Sequence, residues 1–125
     1  MKSSELLERI HQLADEKHAA DVKALELAGV SSFADYFYIC TAQSARQAQA
    51  IADHIRETVK KEAGVSVLGA EGYDTGEWVL LDFGDIIVHI FSPQLREYYR
   101  LESLWEGAPE VNFEVSSSEH RQDPQ

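Results

Sequence analysis

The run Glu77-Trp78-Val79-Leu80-Leu81-Asp82-Phe83-Gly84-Asp85-Ile86-Ile87-Val88-His89-Ile90-Phe91 constrains the fold most. It reads as a hairpin over 78–91, two apolar strands meeting at a turn that contains Gly84. Ser92-Pro93 then opens a helix, with proline near its first position, that runs to about Trp105. A helix lying on a sheet needs one apolar face. Leu95, Tyr98, Glu102 and Trp105 fall along one side of this helix, but Tyr99, Leu101 and Leu104 spread beyond it. The surplus is either a wide core contact or an exposed strip for a partner, and tyrosine and tryptophan suit interfaces because each joins a large apolar body to a polar handle.

Upstream, Leu6, Leu7, Ile10, Leu13 and Ala14 recur at helical spacing and predict a helix over 4–18. Ala20 to Ala28 alternates imperfectly, as an edge or half-buried strand does. Asp35 to Thr41 is strongly β-prone with apolar residues on both faces, the mark of a central strand. Ser44 with Gln47 three residues on caps a helix over 45–62, Ala48, Ile51, Ala52, Ile55 and Val59 form its buried stripe, and Gly64 stops it. A short strand is expected at Val65–Leu68. The order α-β-β-α-β-β-β-α gives an α/β fold: one small domain, a mixed sheet flanked by helices. The domain is expected to span 1–107, and a tail over 108–125 to be largely disordered, being Ser-, Glu- and Gln-rich after Val115.

Eleven basic against 22 acidic residues leave a formal net charge of −11 in 125 residues. That field repels phosphates and anionic membranes over most of the surface, which argues against sequence-reading of DNA or RNA and leaves any phosphate contact to a local basic spot. It attracts a basic protein, and serves solubility equally well. One cysteine, Cys40, excludes an internal disulfide, and its apolar run reads as a buried, inert thiol. No stretch approaches the roughly 20 apolar residues of a membrane helix. The first 20 residues lack a signal-peptide core, which leaves the cytoplasm as the expected location.

Asp82, Asp85 and His89 are the nearest thing to a catalytic constellation, with Thr41-Ala42-Gln43-Ser44 as a turn that receives an anion at a helix N-terminus. Together they imitate a nucleotidyltransferase or nucleotide-binding module weakly. A metal pair on one strand needs carboxylates two apart on one face, and these are three apart beside a glycine. The turn has no glycine to admit a phosphate. Asp82 and Asp85 read better as turn-fixing residues. His89 shares a strand face with Ile87 and Phe91 and reads as a hydrogen-bonded structural histidine. No catalytic residue, metal or cofactor is expected. Trp78, at the start of its strand beside a Gly-rich loop, is either an interface anchor or a core plug.

Five blocks, in order, resemble the ribosomal silencing factor family, also called Iojap-related. They are Ser31-Ser32-Phe33-Ala34-Asp35-Tyr36-Phe37, Ser44 to Asp53, Glu71-Gly72, Trp78 to Phe91, and Arg96-Glu97-Tyr98-Tyr99-Arg100-Leu101-Glu102-Ser103-Leu104-Trp105. The resemblance implies a fold of nucleotidyltransferase-like topology without catalysis. It also implies binding to ribosomal protein L14 of the large subunit, with any ribosomal RNA contact peripheral, so that the subunits are blocked from joining and translation falls when nutrients are scarce. By position it places Trp78, Leu81, Arg96, Tyr99 and Leu101 at or near the L14 surface. Where the family usually has Gly-Thr-Ser, this chain has Ala42-Gln43-Ser44. An exposed apolar strip also makes a homodimer plausible.

Overall fold

The computed structural model describes residues 2–113. Its five strands are β1 (Ala20–Glu26), β2 (Tyr36–Thr41), β3 (Gly69–Glu71), β4 (Trp78–Asp82) and β5 (Ile86–Phe91). They form one sheet in the order β1-β2-β5-β4-β3, with β2 and β5 parallel and every other pair antiparallel. The mixed sheet flanked by helices is therefore as the sequence pattern implies. The parallel β2–β5 pair lies at the centre, and its strands are apolar on both faces because both faces are covered.

On one face lie α1 (Ser3–Glu16) and α2 (Ala45–Ala63), packing Leu7, Ile10, Ile51 and Ile55 against Tyr38, Cys40, Val79, Leu81, Val88 and Ile90. The ends of α2 follow from its sequence. Ser44 Oγ accepts from the Gln47 amide at 3.0 Å, and Gly64 takes the left-handed conformation at φ 69°. On the other face Leu25, Leu27, Phe37, Ile39 and Phe91 form a second, smaller core. It is covered by α3 (Pro93–Tyr99) and a 3-10 turn (Leu101–Trp105).

Three elements differ from expectation. The third helix does not run to Trp105: Arg100 turns left-handed at φ 48°, and the chain restarts as the 3-10 turn. That break aims Leu101 and Trp105 back at the sheet. The strand expected at Val65–Leu68 begins four residues later, at Gly69. Val65 and Val67 pack on the core, and pairing begins only where the Leu68 amide donates to the Asp82 carbonyl at 2.7 Å. Position beside β4 selects Gly69–Glu71 despite its low β propensity. Finally, residues 108–113 are not a loose tail. They pair with β1 and pack Val111 and Phe113 on the main core. The rest of the expected tail, 114–125, lies outside the described residues.

Candidate functional surface

The β4–β5 hairpin sets the geometry of the second face. Asp82 Oδ1 accepts from the Gly84 amide at 2.8 Å and fixes the turn. Gly84 itself sits at φ 91°, which suits glycine. Strand alternation then puts Trp78 and Leu80 on one face of β4, and Val79 and Leu81 on the other. Trp78, half-buried, stands opposite Phe91. Its ring centroid lies 4.8 Å from Phe91 and 4.9 Å from Tyr99. The loop before it is pressed close: a Cβ on Gly72 would meet the Trp78 carbonyl oxygen at 1.9 Å.

Trp78 joins the core and the surface at once. Its Nε1–H donates to His89 Nδ1 at 3.2 Å. That bond assigns His89 the neutral form with its remaining proton on Nε2, an atom with no partner. Burial pushes the His89 imidazole down to about 4. The histidine is structural, as its strand position implies, and it holds the tryptophan ring. Cys40 is fully buried and pushed up to about 12, so it is inert as a nucleophile.

The five positions carried by the resemblance separate here. Tyr99 is exposed at 48% and leans on Trp78. Leu101 is half-buried against the second core. Leu81 is corrected: it is 0% exposed, packed between the sheet and the helical layer opposite Val88. Alternation from Trp78 makes Leu80 its neighbour on the outer face. Arg96 is turned mostly inward. It is 15% exposed and spent on its own chain, donating through Nη1 to Thr41 Oγ1 at 2.9 Å and through Nε to Glu102 Oε2 at 3.0 Å. Those bonds tie α3 and the 3-10 turn to the end of β2. Two residues outside the five are the most exposed of this strip, Tyr98 at 76% and Leu104 at 73%. The excess apolar width of residues 95–105 was their signal. The outward direction of Leu104 follows the break at Arg100, which the helical pattern conceals.

The catalytic alternative does not assemble. Thr41 is opposite Phe91 and Asp82 is opposite Ile87, so the anion-receiving turn and the hairpin carboxylates occupy opposite ends of the sheet. Four residues of strand, roughly 13 Å, separate them along β5. Among the described residues no group of three His, Cys, Asp or Glu side chains is placed to hold a metal. Among them, too, no helix is long and apolar enough to cross a membrane.

Fold and surface together define a small α/β domain that carries an exposed aromatic strip and no gathered catalytic set among the described residues. All 125 residues match the family described as "Ribosomal silencing factor during starvation", and the chain belongs to that family. The description is that of a regulator, not of an enzyme. The chain is 43% identical over 114 residues to ribosomal silencing factor RsfS of Halalkalibacterium halodurans, covering 91% of this chain and 97% of that one. It is 40% identical over 119 residues to RsfS of Bacillus subtilis, covering 95% and 100%. A crystal structure of a Chromobacterium violaceum protein superposes with a TM-score of 0.81 at 33% identity, covering 94% of this chain and 97% of that one.

Proposed function

We propose that this protein binds ribosomal protein L14 on the large subunit through the strip formed by Trp78, Tyr98, Tyr99 and Leu104, and that its bulk keeps the small subunit from joining. The observation that carries the reading is the strip itself. In a member of a ribosomal silencing family, three large apolar side chains, Tyr98, Tyr99 and Leu104, stand open to water on two short adjacent elements. Trp78 backs Tyr99, and its indole is held by His89. Rigid, half-buried aromatics are the usual anchors of protein interfaces. The acidic field suits a basic ribosomal protein and disfavours wider contact with ribosomal RNA.

Steric exclusion needs no bond chemistry, only occupancy of volume. The fold is read accordingly as a nucleotidyltransferase-like frame whose anion turn has no glycine. A homodimer formed through the same strip would compete with L14. The deciding experiment mixes purified large and small subunits with and without the protein and sediments them. The expected result is loss of the joined particle at saturating protein. Joined particles in undiminished amount would remove the proposal.

A further inference from the structure

A sheet edge offers unpaired N–H and C=O groups to any extended segment, and folded proteins blunt such edges. Here β3 is blunted by length, with only three residues, all exposed. The first half of β1 is blunted by irregularity: its register shifts between Ala20 and Lys23, and Asp21 is left-handed at φ 49°. The regular remainder, Ala24–Glu26, is covered by residues 109–111. The Glu26 amide donates to the Pro109 carbonyl and the Val111 amide to the Ala24 carbonyl, each at 2.8 Å, with Leu25 facing Glu110 in an antiparallel bridge.

This strap passes over the edge from one core to the other. Ala108 packs on the second core. Beyond the edge Val111 and Phe113 pack on the first. Phe113 stacks on His11 at 4.0 Å and 15°, and His11 Nδ1 lies 2.8 Å from the Tyr38 hydroxyl. Yet no residue from 108 to 113 is fully buried, and two backbone bonds make up the pairing.

The pairing pattern is one that β1 itself reproduces. Around Glu110 the strap offers a carbonyl from the residue before and an amide from the residue after. Around Leu25, β1 offers the Ala24 carbonyl and the Glu26 amide in the same arrangement. Two β1 strands related by a two-fold axis through Leu25 would therefore exchange the same two bonds. We propose that Ala24–Glu26 is a strand-acceptor site which residues 109–111 fill within the chain, and that this occupancy keeps a second copy from adding its β1 there.

The test uses the full chain carrying Val111→Pro, which deletes the strap's donor, together with Phe113→Ser, which deletes its stack. Hydrogen exchange at the Glu26 amide reads the strap directly, and protection at low concentration should fall at least about tenfold. Sedimentation velocity should then show added self-association with rising concentration, relative to the parent chain. Adding Glu26→Pro, which removes the donor that both pairings use, should abolish the added association. Far-UV circular dichroism checks that the variants keep the fold. Phe113→Ser alone, which spares both backbone bonds, should give the same change in lesser degree. The proposal is overturned by an unprotected Glu26 amide without added association, by unchanged protection, or by association that survives Glu26→Pro.

Discussion

At the scale of single residues, Trp78 and His89 act as one unit, and each shows why exposure alone does not define a contact. Trp78→Ala removes a proposed anchor, so large-subunit binding should weaken by about 1–4 kcal/mol. It also strands the buried His89 Nδ1, which costs about 1–3 kcal/mol of fold stability. Trp78→Phe separates the two effects by keeping a ring and losing the N–H. Large-subunit pull-down and urea unfolding on both variants distinguish them. If both retain subunits as the parent does, Trp78 is a core residue only. His89 makes a second prediction. The folded protein holds it neutral down to about pH 4, while the unfolded chain protonates it near 6.5. Between those values the unfolded state binds more protons, so stability falls as pH falls. His11, also held down by burial, adds in the same direction. Unfolding free energy should drop by about 2 kcal/mol from pH 7 to pH 5, and His89→Phe should flatten most of that slope. A parent chain equally stable at both values would contradict it. The strand face of His89 was legible from alternation with Ile87 and Phe91. Its bond to Trp78 was not, because that bond joins two strands through the hairpin register.

At the scale of elements, the parts legible in the sequence are those whose ends carry their own chemistry. Ser44 and Gly64 bracket α2, and Gly84 with Asp82 marks the hairpin turn. The parts not legible are those decided by neighbours. β3 is a strand because β4 lies beside it, and 109–111 is extended because β1 has an open edge. α3 ends at Arg100 although the apolar pattern continues, because Arg96 bonds Glu102 across the break and anchors both segments to Thr41. The resemblance placed Leu81 near the surface by position, where period-two counting from Trp78 selects Leu80 for the outer face. Arg96 thus helps to position the strip. Arg96→Met keeps much of the stem and deletes both bonds, leaving the Glu102 carboxylate without its partner. Stability should fall by about 2 kcal/mol, and limited proteolysis should cut faster within 93–105. Large-subunit binding should weaken even though this side chain faces its own chain. Cleavage at the parental rate would show that packing alone holds the element.

At the scale of the whole molecule, the proposed binding divides its labour between the charge and the strip. The strip is apolar and short-ranged, so it governs how long a complex lasts. The net charge of −11 acts over a Debye length, about 10 Å at 0.1 M salt, so it governs how fast a basic partner is met. Under the proposed steric exclusion the domain must arrive before the small subunit does, which gives the encounter rate functional weight. Raising salt from about 50 to 500 mM should therefore slow association with purified large subunits by roughly tenfold while changing dissociation far less. Tyr99→Ala should do the reverse, raising the dissociation rate and sparing the association rate. Surface-immobilised subunits with the protein in flow resolve both rates. Association indifferent to salt would remove electrostatic steering and leave the strip alone to account for recognition. Dissociation unchanged by Tyr99→Ala, with steering intact, would move the docking surface off α3 altogether.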